Sequence, residues 1–163
     1  MRLVKESVIY PLPEEQDIAE MESSFRIQLP NAYKEFLKHY NGCTVIDSTP
    51  LTIINKRCEI ERFLGIIKNF SDPYGVYDIG CCKTSLGEQG RNFYDENLIG
   101  SELIPIAKLA GGDYLCLNFH YDKNNPSVDF LDYEESYECD PATSKVAENF
   151  QEFLSMLLSK DTK

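Results

Sequence analysis

Histidine is almost missing from this 163-residue chain: only His39 and His120 occur, and no C-x-x-C spacing accompanies them. That shortage argues against a zinc site, which needs clustered imidazole and thiolate ligands. Bases are scarce too, with 16 Lys and Arg against 27 Asp and Glu and a formal net charge of −11. Direct nucleic-acid binding needs a basic footprint that this balance denies, and anionic membranes are repelled for the same reason. A negative field of this size either speeds encounter with a basic partner or keeps the chain in solution. No long apolar run is present, so neither a signal peptide nor a membrane span is expected.

The motifs of common chemistry are absent as well. There is no G-x-x-x-x-G-K, no G-x-G-x-x-G and no H-E-x-x-H. Asp122-Lys123-Asn124 begins like a calcium loop, but the glycine and the closing glutamate do not follow. Six cysteines (Cys43, Cys58, Cys81, Cys82, Cys116 and Cys139) are irregularly spaced, and the adjacent pair would strain to join. Reduced thiols in a cytoplasmic protein are the expectation. No cofactor or metal is expected.

What is present is a chain of ordinary hydrophobic content, 42%, long enough to bury a core as one domain over residues 1–163. A helix is predicted from Pro13, with Glu14, Glu15 and Asp17 in its first turns and Ile18, Met21 and Phe25 on one face. Ile27 and Leu29 suggest a short extended link. Pro30 opens a second helix whose stripe is Tyr33, Phe36, Leu37 and Tyr40, and Asn41-Gly42 stops it.

Beyond Gly42 the period changes to that of strands, over 43–46, 51–54 and 60–65. Residues 68–97 are broken repeatedly by glycine and read as loop, with short helices over 74–79 and 92–97. Residues 103–107, 114–120 and 127–132 form a predicted three-stranded antiparallel meander, because their connections are too short for parallel crossovers. Pro105 requires its strand to lie at an edge or to carry a bulge. A last helix follows Asp140-Pro141, with Val146, Phe150, Phe153, Leu154 and Leu157 on its apolar face.

Candidate functional residues are few. Cys116 and His120 share a strand face but stand too far apart for direct hydrogen bonding, and Cys116 reads better as a small core residue. Gly87-Glu88-Gln89-Gly90 reads as loop. Gly111-Gly112-Asp113 is either a tight turn or a backbone nest with a nearby carboxylate. The most distinctive charge feature comes late: Asp129, Asp132, Glu134, Glu135, Glu138 and Asp140 fall close together with no lysine or arginine among them. Tyr133 and Tyr137 are interleaved. Acids flanking tyrosines suit a protein interface, where charge steers a basic partner and aromatic rings supply contact.

Several of these pieces recur together elsewhere. Leu29-Pro30 with Tyr33 and Phe36, Asn41-Gly42, Phe63-Leu64-Gly65, Ile104-Pro105-Ile106-Ala107, Gly111-Gly112-Asp113 and the helix of Phe150 and Phe153 stand in an order that resembles the SUKH superfamily. The likeness covers about residues 18–157. It implies a single α+β domain with a twisted, mostly antiparallel sheet flanked by an N-terminal helical hairpin and a C-terminal helix. It also implies no enzymatic activity and a role carried by protein contacts. Bacterial members resemble immunity proteins that neutralise toxins, many of them nucleases; the fungal relative regulates cell-wall synthesis. The expectation is an immunity protein whose partner is a cognate, basic nuclease toxin bound through the late acidic segment. A scaffold or signalling adaptor is the alternative. The oligomeric state stays open.

Overall fold

The computed structural model describes residues 2–46, 51–53, 56–69, 73–95 and 102–158. The helical hairpin is α1 (Glu15–Phe25) and α2 (Asn31–Tyr40). α1 starts two residues later than Pro13. Its boundary is set by a reciprocal box in which the Glu14 side chain accepts from the Asp17 amide and the Asp17 carboxylate accepts from the Glu14 amide at 2.6 Å. Arg26 closes α1 with φ +54, and Ile27 and Leu29 turn into the core.

The Asn41-Gly42 stop has a second function. The Asn41 amide donates to the carbonyls of Ile9 and Ile66, each at 3.1 Å, and its Oδ1 accepts from the Ile66 amide at 2.8 Å. This buried side chain therefore ties the end of α2 to two distant segments. Gly65 is required beside it: a Cβ there would lie 2.3 Å from Asn41 Oδ1 and 2.8 Å from the Gly42 amide nitrogen. Two motifs that look independent in the sequence are thus one packed unit.

Strands β1 (Arg2–Val4) and β2 (Thr44–Ile46) pair antiparallel, as do β3 (Leu51–Ile53) and β4 (Lys56–Cys58). The main sheet holds β5 (Ile60–Phe63), β6 (Leu103–Leu109), β7 (Tyr114–Asn118), β8 (Ser127–Tyr137) and β9 (Asp140–Ala147) in that order, every neighbour antiparallel. The predicted meander is present: β6 and β8 run longer than expected, but β7 stops at Asn118 and leaves His120 in a turn, so Cys116 and His120 do not share a strand. Pro105 is accommodated by a register shift between Pro105 and Ala107, the bulge its missing N–H calls for, since β6 has a neighbour on each side.

Helices cover both faces of this sheet, which is why β6 reads as a nearly unbroken apolar run. On one face Phe36 lies 4.8 Å from Phe63 and 5.4 Å from Phe150, and Tyr33 meets Phe150 edge-on at 4.8 Å. Such pairs add about 0.5–1.5 kcal/mol each beyond the area they bury. They join α2 to β5 and to α4 (Phe150–Leu158). The opposite face carries α3 (Ile79–Glu88), whose Leu86 packs with Leu103, Cys116 and Leu131.

A 3-10 turn over Pro73–Tyr77 stands close to the short helix expected over 74–79. Three segments differ from expectation. α3 follows where loop is expected, despite Gly80 and Gly87. Its start is fixed by Asp78, whose carboxylate accepts from the amides of Cys81 and Ile67 at 2.9 Å each, and its Ile79, Cys82 and Leu86 are buried. Packing overrides the weak local propensity. Residues 92–95 form no helix, and the rest of that expected helix lies outside the described residues. The residues just after Asp140-Pro141, expected to open the last helix with Val146 on its face, belong to β9 instead, because β8 runs on to Tyr137 and offers them a ladder. The helix begins only at Phe150. Its buried face, Phe150, Phe153 and Leu157, is the expected one.

Candidate partner-binding surface

The late acidic segment occupies the end of β8, the turn at Glu138-Cys139 and the first residue of β9. Its shape comes from a large bulge. Asp132 pairs with Ala142 and Tyr137 pairs with Asp140, so residues 133–136 arch over a single residue of the facing strand. Buried polar groups hold the arch. Asp132 Oδ1 accepts from the Glu135 amide at 3.1 Å, Ser136 Oγ donates to the Asp132 carbonyl at 2.5 Å, and the Ala142 amide donates to Ser136 Oγ at 3.0 Å.

Tyr133 is gripped from several sides at the foot of the arch. Its amide donates to Asp113 Oδ1 at 2.9 Å, its carbonyl accepts from the Arg91 guanidinium, and its hydroxyl donates to Gln89. The same guanidinium lies over the Tyr133 ring, 3.9 Å from its centre. Gly90 lets this segment pass under the turn: with φ +66, it sits where a Cβ would be 2.8 Å from Glu138 Cγ and 3.0 Å from Glu138 Cα. The Cys139 amide donates to the Gly90 carbonyl at 2.9 Å.

Asp113 therefore does something the sequence did not disclose. In Gly111-Gly112-Asp113 the glycines adopt φ of +105 and +99 as a turn requires, but the carboxylate reaches across to β8 instead of bonding its own turn. No local pattern marks Arg91, Gln89 or Gly90 either, since each acts only through a contact more than 40 residues away.

The eight residues singled out for partner contact divide into two sets. Asp129 and Asp132 are buried, with 3% and 9% exposure, and Tyr133 is half-buried. Glu134, Glu135, Tyr137, Glu138 and Asp140 are exposed, Tyr137 at 68%. A rigid frame thus presents four carboxylates around one solvent-facing tyrosine ring.

Chemistry is not centred on the cysteines. Cys116 is fully buried among Leu86, Leu103 and Leu131, and desolvation followed by the nearby Asp129 and Cys82 pushes its thiol well above the ordinary value. Burial similarly pushes Cys43 up to about 12 and Cys82 up to about 11. No disulfide joins the six cysteines. Among the described residues no cluster of three metal-ligating side chains exists, and no helix is long and apolar enough to cross a membrane.

The sequence matches the model of one family, SMI1 / KNR4 family (SUKH-1), over residues 12–156. The chain belongs to this family. SUKH-1 membership points to an immunity-type role exercised through protein contacts, in a family generally without catalysis. The chain is also 28% identical over 150 residues, covering 89% of it and 74% of the relative, to the SPbeta prophage-derived uncharacterized protein YokK of Bacillus subtilis (strain 168). No solved structure shows a significant match. Of the residues quoted for the SUKH likeness, Tyr33, Phe36 and Phe150 lie in the core and Asn41 and Gly65 in its ties, whereas Asp113 holds the foot of the acidic arch.

Proposed function

We propose that this SUKH-1 protein is a cytoplasmic immunity protein that binds a cognate nuclease toxin and occludes its basic active site. The observation that carries the reading is the arch: Glu134, Glu135, Glu138 and Asp140 project from a frame tied down by Asp113, Asp132, Ser136 and Arg91. A nuclease cleft is basic because it must hold phosphate, and carboxylates carried on a braced backbone answer that charge with only their own side chains left to order on binding. Tyr137 supplies an aromatic contact at its centre. The net charge of −11 steers the encounter.

The test is a triple reversal, Glu134→Lys with Glu135→Lys and Glu138→Lys, assayed against the toxin encoded beside this gene. Close charge pairs in interfaces couple by roughly 1.5–7 kcal/mol, so affinity drops by at least tenfold and its salt dependence flattens. A second triple variant, Glu6→Lys with Glu20→Lys and Glu59→Lys, makes the same change of net charge at exposed residues away from the arch and is the control. Unchanged affinity for the triple variant removes the arch from the interface.

A further inference from the structure

Asp129 is the buried carboxylate that neither the fold nor the arch explains. It lies on β8 with 3% exposure, yet together with Tyr121, Thr143 and Lys145 it lines an open cavity of about 330 Å3 beside β9. Its two oxygens each accept one neutral hydrogen bond, Oδ1 from Ser127 Oγ at 2.6 Å and Oδ2 from Asn118 Nδ2 at 2.7 Å. A carboxylate has about four acceptor sites, so each oxygen keeps a lone pair to spare. Both donors are neutral, and among the described residues no lysine or arginine forms an ion pair with Asp129.

Lys145, in the cavity wall, stands opposite Asp129 across the β8–β9 pair; its side chain is half-exposed and its ammonium is joined to Glu148 Oε2 at 3.1 Å. The rest of the wall is Thr143 and Tyr121, each contacted from behind by a ring outside the cavity. Tyr94 Oη is bonded to Thr143 Oγ1 at 2.8 Å, the Tyr94 and His120 rings lie 4.1 Å apart, and His120 holds Tyr121 edge-on at 4.8 Å. Tyr121 itself is 75% exposed, an aromatic face at the mouth of a hole with an acid on its floor.

We infer that this cavity is a socket for one arginine side chain of the partner protein, its guanidinium bonded to Asp129 and stacked on Tyr121. A planar fork matches two carboxylate oxygens, and an aromatic face favours a weakly hydrated cation. The partner clause rests on the immunity reading above. The socket deepens that reading by giving the basic toxin a point of register on the same strand as the arch.

The experiment uses the isotope-labelled full chain and two probes, N-acetyl-arginine amide and its neutral isostere N-acetyl-citrulline amide. The arginine probe gives saturable NMR shifts at Tyr121, Asp129, Thr143 and Lys145, and the citrulline probe does not. Asp129→Asn weakens the arginine probe about tenfold or more. Should that variant fail to fold, Tyr121→Ala, which removes only an exposed ring, shows the loss instead. Equal response to both probes, no saturable shift, or wild-type binding by both variants overturns the socket. The adjacent toxin then displaces the arginine probe from the wild-type chain. A toxin that binds and leaves the probe in place overturns the partner assignment while the immunity reading stands. A toxin that does not bind at all overturns that reading and the partner assignment with it.

Discussion

Single side chains in this molecule act as ties between segments far apart in the chain, and Asn41 is the clearest example. Its three hydrogen bonds to Ile9 and Ile66 satisfy backbone groups that burial would otherwise leave bare. Gly65 must stay small for that tie to form. Gly65→Ala places a methyl 2.3 Å from Asn41 Oδ1 and against the Gly42 backbone, which cannot withdraw as a flexible side chain could. Overpacking of this kind costs about 1–3 kcal/mol, read as a lower urea midpoint at unchanged slope. A wild-type midpoint would show that the segment relaxes freely. Arg62 is a second tie: its guanidinium donates to the carbonyls of Ser7 and Gly42 while lying 5.0 Å from the Tyr77 ring centre.

Elements are joined by the same economy of contacts. α1 is pinned to the segment after β5 by Lys68, whose ammonium reaches Asp17 Oδ2 at 2.7 Å. The hydrogen bond from Lys68 holds the Asp17 carboxyl below its ordinary value, against the opposing effect of desolvation. A carboxyl lowered in the folded state contributes stability above its unfolded pKa and loses it as pH falls through the folded one. Lys68→Met should therefore raise the Asp17 pKa in a carbon-detected NMR titration. The stability gap between the two proteins should close on acidification from about pH 6 to about pH 3. At the other end of the sheet, Ser136→Ala removes two of the bonds that brace the β8 arch. Hydrogen exchange should accelerate at Ala142 and along 133–136, while Leu115 and Leu117 in β7 keep their protection. Acceleration throughout the sheet would mean that the arch is part of the global fold and not a separately braced element.

At the scale of the whole molecule, charge is unevenly spent. Lys34, Lys38 and Lys68 are engaged by acids of α1 and α2, whereas the stretch from Asp129 to Asp140 contains no base. Arg91 serves that region, but its guanidinium is turned onto Tyr133. Repulsion among the surplus carboxylates opposes compactness and is screened by salt. Melting temperature should rise between very low ionic strength and about 0.15 M, where the screening length is near 8 Å. A fall would show that the exposed ion pairs outweigh the repulsion.

The helical hairpin, the meander and the buried face of α4 were legible in the sequence because each rests on local periodicity: Tyr33, Phe36 and Leu37 on one helix, alternating strands separated by short turns, and Phe150, Phe153 and Leu157 on another. α3 and β9 were not. α3 forms because β6 is there to cover, and β9 forms because β8 continues past Asp132; neither cause lies within the segment that responds to it. The acidic residues show the same division. Their number and closeness are properties of the sequence, but which of them are buried and which face solvent depends on hydrogen bonds made with Asn118, Asp113 and Arg91, residues outside the acidic segment. Composition set the sign of the molecule's field, and tertiary structure decided where that field has a surface, because burial is a property of what packs above a residue and not of the residue itself.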